Sequence, residues 1–238
     1  MERVMIKAIY FDLDNTLIHR IKSIEVYAAA FYQDFASQLL EASITDIITI
    51  IKTQDNGGYL AKDSPYKTVK EAVSETLYQQ LNWHTEPTIE QLKTHWNNQF
   101  PLYSVAMQGA NELLQTLSEQ GFYIGIISNG AHDTRLARAE TLTAYSKVNK
   151  LVSSESAGIN KPAKEIFINT LTEAGFKPEE CCYVGDHPIN DIEGSRNAGL
   201  KTIWIKGFHD WPKNIKPADH SIEHLSQIID LLSLNNAI

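Results

Sequence analysis

Apolar and polar positions follow two different rhythms along this chain. Ala8 to Phe11 is a continuous apolar run rich in strand-favouring residues, the pattern of a short strand buried on both faces. After Leu17 the spacing changes. Ile24, Tyr27, Phe31, Phe35 and Leu39 return at three- and four-residue steps, which predicts an amphipathic helix. Further helical patterns cover 44–51, 66–81 and 89–96, separated by the breakers Asn56-Gly57-Gly58, Ser64-Pro65 and Glu86-Pro87. No strand is expected from about residue 20 to 105, so this stretch reads as an all-helical insert.

From Gln108 onward helices and strands take turns. Ala110 to Glu119 predicts a helix with Gly121 just past its end, and Tyr123 to Ile127 a buried strand ending in Ser128-Asn129-Gly130. A helix is expected from Asp133 to Leu142 and a short strand from Leu151 to Ser153. Lys161-Pro162 is expected to open the next helix, with proline in its favoured first position, and Gly175 to stop it. Cys181 to Val184 then reads as a strand ending in Gly185-Asp186, Asp191 to Ala198 as helix, Leu200 to Ile205 as strand and Ile222 to Leu232 as a closing helix. Strands alternating with helices imply a parallel sheet covered on both faces. The expected fold class is α/β: a Rossmann-like parallel sheet core from residues 1–18 and 104–238, with residues 19–103 as an inserted all-helical domain.

A length of 238 residues suits one sizeable domain with a modest insert, and 43% hydrophobic with 21% charged residues is ordinary for a chain that buries a core. The formal net charge of −8 argues against nucleic acid or anionic membrane as partner, since both need basic surface. A small phosphate ester stays open, because a metal and one or two local cations can outweigh the overall field. Cys181 and Cys182 are adjacent, point to opposite faces of a predicted strand and have no distant partner, so no disulfide framework or cysteine metal site is expected. Glu2, Arg3 and Lys7 around short apolar runs do not read as a signal peptide, and no apolar stretch approaches a membrane span. The expectation is a cytoplasmic protein.

Candidate chemistry collects where strands end. The first strand runs into Asp12 and Asp14, two positions apart, which can point the same way if the extended geometry persists. Such a pair suits a hard divalent cation, although Asp12, Asp14 and Asn15 could equally make a turn. A calcium loop starting at Asp12 fails, because its required Gly and Glu would fall on Leu17 and Ser23. Ser128 with Asn129, Lys161, and Asp186 with Asp191 lie at other strand ends or helix starts. Taken singly, each has a plain reading as turn residue, solvated lysine, loop carboxylate or helix cap.

Together these segments resemble the haloacid-dehalogenase-like superfamily, in its branch with a helical cap after the first strand. The matching motifs are Asp12-Leu13-Asp14-Asn15-Thr16, Ser128-Asn129, Lys161-Pro162 and Gly185-Asp186-His187-Pro188-Ile189-Asn190-Asp191. The resemblance implies a Mg²⁺-dependent phosphatase of small phosphomonoesters, of nucleoside monophosphate, sugar phosphate or phosphoglycolate type. Asp12 would be the nucleophile and form an aspartyl-phosphate; Asp14 would act as acid, then base, and burial and neighbouring negative charge would favour its protonated form. Lys161 would neutralise Asp12 and the phosphate, and Ser128 and Asn129 would hold phosphoryl oxygens. Asp12, Asp186 and the Asp14 carbonyl would hold the metal, with Asp191 either a further ligand or just behind the ligands. Dehalogenases do not need an acid two residues after the nucleophile, so Asp14 favours phosphoester hydrolysis. A phosphomutase and a non-catalytic binding member are the alternatives. The expected partner is a small phosphorylated metabolite, and the expected state a monomer or homodimer.

Secondary candidates each carry a plain reading beside the functional one. His19, Arg20 and Lys22 could touch substrate or merely enter a helix. Tyr27, Phe31, Tyr32, Trp83 and Trp96 could line a pocket or form core. His187 could bond the carboxylates or fill a loop, and Phe208-His209-Asp210-Trp211-Pro212, a polar-aromatic loop after a strand, could contact substrate or a partner.

Overall fold

The computed structural model of the chain describes residues 5–234. Glu2 and Arg3, on which part of the reading of the amino-terminus rests, lie outside them. The described residues form two compact units, one of residues up to Ile18 with those from Ala106 onward, the other His19–Val105.

After β1 (Ala8–Phe11), the second unit runs α1 (Arg20–Asp34), β2 (Leu39–Glu41), α2 (Ile44–Asp55), α3 (Val69–Gln80), β3 (Asn82–Trp83) and α4 (Ile89–Gln99). Ser43, Thr68 and Thr88 start α2, α3 and α4 by accepting backbone N–H groups that have no partner within the first turn. The apolar helix faces meet in one cluster that includes Ile24, Tyr27, Phe31, Ile51, Leu77 and Trp96. The expected all-helical insert needs one correction: β2 and β3 make a two-stranded antiparallel ribbon. Leu39 continues the helical step from Phe35, yet α1 has already ended at Asp34 and Leu39 pairs with Trp83. Strands of two or three residues are too short to display a period of two.

The first unit continues with α5 (Ala110–Glu119), β4 (Tyr123–Ser128), α6 (His132–Ala139), β5 (Lys150–Ser153), α7 (Ser154–Ala157), α8 (Lys164–Ala174) and β6 (Cys181–Gly185). A π-helical segment, Pro188–Glu193, leads into α9 (Gly194–Asn197), followed by β7 (Lys201–Ile205), β8 (His220–Ile222) and α10 (Gln227–Leu234). The six core strands pair in parallel in the order β5-β4-β1-β6-β7-β8. Chain order therefore reverses at β1, running through β4 and β5 on one side and β6 to β8 on the other. That reversal is the switch point at which open α/β sheets form a ligand crevice beyond the carboxyl ends of their strands.

Alternation along the strands sorts the core. Ile9, Phe11, Cys182 and Val184 pack with Leu113, Leu117 and Ile228 on one face. Ala8, Tyr10, Cys181 and Tyr183 pack with Ile166, Phe167 and Leu171 on the other. The two cysteines thus do face opposite ways, and both are free thiols. Gly125, opposite Tyr10 in the β1–β4 register, is needed for packing: a Cβ there would lie 2.3 Å from the Tyr10 ring.

Several boundaries differ from expectation, among them the start of α3 at Val69 and the end of α6 at Ala139. Ile222 belongs to edge strand β8, and the closing helix starts only at Gln227; three residues reading His-Ser-Ile carry too little apolar signal to mark a strand. Lys161-Pro162 does not open α8, which begins at Lys164. Residues 160–163 form a turn closed by Ala163 N–H to the Asn160 carbonyl (3.1 Å), and the Lys161–Pro162 peptide is cis. A residue before proline is pushed away from helical geometry, which keeps Lys161 outside the helix. Among the described residues, no helix is long and apolar enough to cross a membrane.

Candidate active site

β1 delivers the first carboxylate because it is the innermost strand. The Asp12 N–H still donates to the Val184 carbonyl (2.9 Å), carrying the β1–β6 ladder one residue past β1, so Asp12 stands at the sheet's carboxyl edge. The chain then turns: Asn15 is left-handed (φ 56°), and the Leu17 and Ile18 N–H groups both donate to the Leu13 carbonyl. The turn reading of this stretch holds, and the turn leaves Asp12 at the sheet edge.

Lys161 is the hub. Its Nζ donates to Asp12 Oδ1 (2.7 Å), Asp191 Oδ1 (2.6 Å) and the Tyr183 hydroxyl (2.9 Å), which uses all three ammonium donors. Tyr183 in turn donates to the Ile127 carbonyl (2.6 Å). The side chain is held from behind by Asn129, whose Oδ1 accepts from the Lys161 N–H (2.8 Å) and whose Nδ2 donates to the Lys161 carbonyl (3.0 Å). Burial works against the lysine's charge, but Asp12, Asp191 and Tyr183 together lift its pKa well above the ordinary value. It is an ammonium at any physiological pH.

Asp186, the residue after β6, supplies the second carboxylate, and the π-helical segment supplies the third, Asp191. Asp191 Oδ2 accepts the His187 N–H (2.9 Å), which fixes the carboxylate beside the Lys161 ammonium. Gly185 makes room for it, since a Cβ at 185 would stand 2.5 Å from the Asp191 carboxyl group. Asp186 Oδ2 meets His209 Nε2 at 3.4 Å, and the Asp186 carbonyl accepts the Trp204 indole N–H (2.7 Å). The loop at 208–212 thus reaches Asp186 through His209. The His187 ring, by contrast, accepts from the Ile189 and Asn190 N–H groups and so starts the helix.

One carboxylate oxygen from each of Asp12, Asp186 and Asp191 lies within 4.8 Å of the others, and all three residues are buried. At such spacing and an effective dielectric of about 20, each ionised pair repels by roughly 3 kcal/mol. Burial accordingly pushes Asp186 up to about 7, with Asp191 and Asp12 adding to it against the His209 contact. Asp12 is pushed up to about 6 by burial, although Lys161 opposes the shift. One ammonium does not balance three buried carboxylates. An all-oxygen donor set short of positive charge fits a hard divalent cation such as Mg²⁺.

Asp14 has other company. Its Oδ2 accepts from Arg135 NH1 (2.5 Å), and its Oδ1 lies 2.8 Å from Arg138 NH2. The negative neighbour expected from the sequence, Asp12, is thus joined by two positive ones, which α6 turns inward at i and i+3. Such an arrangement suits the ionised carboxylate. Of the residues picked from the sequence, Asp12, Lys161, Asp186 and Asp191 form one contiguous group, and Asn129 is bonded to the backbone of Lys161. Ser128 ends β4, buried, in register with Ser153. In the other unit, His19 caps α1, Arg20 pairs with Asp55, and Tyr27, Phe31 and Trp96 are core. Sequence reasoning missed Arg135, Arg138 and Tyr183. The arginine spacing just after Ser128-Asn129-Gly130 was the available signal for the first two, whereas Tyr183 reads like any core aromatic.

The lysine-bridged carboxylate centre stands at the switch point of a doubly wound parallel sheet, where such folds place their ligands. The chain belongs to the haloacid dehalogenase-like hydrolase family, whose profile matches residues 9–205. It is 26% identical over 240 residues to a glyceraldehyde 3-phosphate phosphatase of Pyrococcus furiosus, covering 97% of this chain and 95% of that protein. It is 35% identical over 128 residues to the pyrimidine 5'-nucleotidase YjjG of Escherichia coli, covering 52% of this chain and 56% of that one. The crystal structure of the magnesium-bound putative HAD-hydrolase YfnB from Bacillus subtilis shares its fold, with a TM-score of 0.77 at 22% identity over 96% of this chain and 99% of that one.

Proposed function

We propose that this hydrolase is a Mg²⁺-dependent phosphatase of small phosphomonoesters, working through an aspartyl-phosphate on Asp12. The observation that carries the reading is the Lys161 ammonium shared between Asp12 and Asp191 inside a three-carboxylate cluster. Relatives named as sugar phosphate and nucleotide phosphatases support the substrate class. Asp12, Asp186 and Asp191, with the Asp14 carbonyl, would hold the cation, which when bound offsets the negative charge of the carboxylates and the phosphoryl group.

Asp12 attacks phosphorus and the ester P–O bond breaks, leaving the phosphoryl group on the Asp12 carboxylate. The departing oxygen takes a proton from Asp14. Asp14, now ionised, takes a proton from water as that water attacks the acyl phosphate, and inorganic phosphate leaves with Asp12 restored. Lys161 orients Asp12 and neutralises phosphoryl oxygens, Ser128 would hold one of them, and Asn129 keeps Lys161 in place. Arg135 and Arg138 favour the ionised Asp14 that the second half needs. The first half requires the proton, so Asp14 must loosen from an arginine when substrate enters.

The test is phosphate release from nucleotides, sugar phosphates and phosphoglycolate, with Mg²⁺, with chelator, and in Asp12→Asn. Turnover should vanish with chelator and fall by roughly a thousandfold or more in the variant. Metal-independent turnover, or a variant that keeps its rate, would overturn the reading. Phosphorylated isomers without free phosphate would point to a mutase.

A further inference from the structure

Arg135 and Arg138 both reach Asp14, but they are not equivalent. Arg138 is wholly buried, with a fully covered guanidinium against Asp14 Oδ1. Asp14 therefore already has a fixed cation. Arg135 is the second, and its side chain keeps 11% exposure. It lies across Gly130, where a Cβ would come within 2.9 Å of Arg135 Nε, so a side chain at 130 would push the guanidinium aside. Gly130 follows Asn129, which holds Lys161, and lies two residues past Ser128, which the phosphatase reading assigns to a phosphoryl oxygen. The Nε itself is buried without a hydrogen-bond partner. An unmet guanidinium donor is costly, and an oxyanion that draws the fork toward itself would recover that cost.

We propose that Arg135 is a specificity residue that anchors a second anionic group on the substrate, a carboxylate or a further phosphate beside the ester to be cleaved. The proposal rests on the phosphatase reading for the position of the ester, and names the substrate class within it. The guanidinium offers a planar fork matched to either oxyanion, unlike the point charge of a lysine. A substrate that engages Arg135 also loosens its hold on Asp14, so only esters with the second anion place both groups.

The test uses matched pairs that differ only in that group: phosphoglycolate against ethyl phosphate, and propane-1,3-diol bisphosphate against its monophosphate. Affinities are read by calorimetry with Mg²⁺ in the Asp12→Asn background, which needs no turnover, and kcat/KM is read in the unsubstituted enzyme. The doubly anionic member of each pair should bind about tenfold tighter or more. Arg135→Gln should bring the ratio near one, through KM in the active enzyme, and Arg135→Lys should retain part of it. A response limited to one pair identifies the anion as carboxylate or phosphate. A ratio near one with Arg135 present, or one unchanged in Arg135→Gln, overturns the anchor. Binding preference without any phosphate release would sink the phosphatase reading and leave the anchor standing; release at equal rates from both members would do the reverse. If the folded protein binds neither member, both fall.

Discussion

Each unit of this molecule buries a cluster of opposite charges, and the two are built on different balances. In the insert, Arg20 and Asp55 are 6% and 0% exposed and meet two donors to two oxygens, Nε to Oδ2 at 2.7 Å and NH2 to Oδ1 at 2.6 Å. Asp55 Oδ2 also accepts the Gly58 N–H (3.1 Å). Positive and negative charge cancel within the pair. In the core, one ammonium faces three carboxylates. The first cluster is a finished lock between α1 and the end of α2; the second lacks positive charge until a cation joins it. Buried charge by itself therefore says little about function, and imbalance says much more.

The largest effect should come from breaking the balanced pair. Asp55→Ala leaves a guanidinium buried and should cost about 3–5 kcal/mol in urea unfolding. The double change Arg20→Met with Asp55→Leu should recover most of that loss, because the pair's worth is largely the penalty of leaving one partner alone. A loss below about 1 kcal/mol in the single variant would deny the lock.

The unbalanced cluster should respond to pH and metal instead. Asp12 and Asp186 are pushed by burial to about 6 and about 7, above the values they have when unfolded. Between roughly pH 4 and 7 the folded, metal-free protein then binds more protons than the unfolded chain, so its stability falls as pH rises. His209, raised by its Asp186 contact, acts in the same direction. Mg²⁺ at a hundred times its Kd should return about 2.7 kcal/mol at pH 8. A thermal midpoint in chelator that stays flat from pH 5 to 8 would contradict this account.

The smallest effect has the opposite sign to the first. Asp186→Asn removes one repelling carboxylate and should raise metal-free stability at pH 8 by about 1 kcal/mol, while abolishing the protection by Mg²⁺. Loss of stability in both conditions would place Asp186 among structural residues.

What could be read from the sequence follows the same divide between complete and partial signals. β1, β4, β6 and β7 are runs buried on both faces, and their carboxyl ends announced Asp12, Ser128 and Asp186 directly. β2, β3 and β8 went unseen because each is two or three residues long, and Leu39 also fits a helical step. Among the site residues, Asp12, Lys161 and Asp186 stand at punctuated strand ends or before a proline. Arg135 and Arg138 sit inside a helix, where the plain expectation for arginine is solvent, and only the turn of α6 against the sheet brings them to Asp14. Tyr183 was hidden by its own strand, since a hydroxyl at the tip of a core ring leaves no mark in an apolar pattern.

Gly185 carries no chemistry of its own, yet it determines whether Asp191 can stand beside Lys161. A single methyl group there would collide with the Asp191 carboxyl and disturb the site as surely as losing the acid. In a survey of natural variants, position 185 would thus be a marker of lost activity that an inventory of charged residues overlooks, and a chain keeping every acid and the lysine could still be silent.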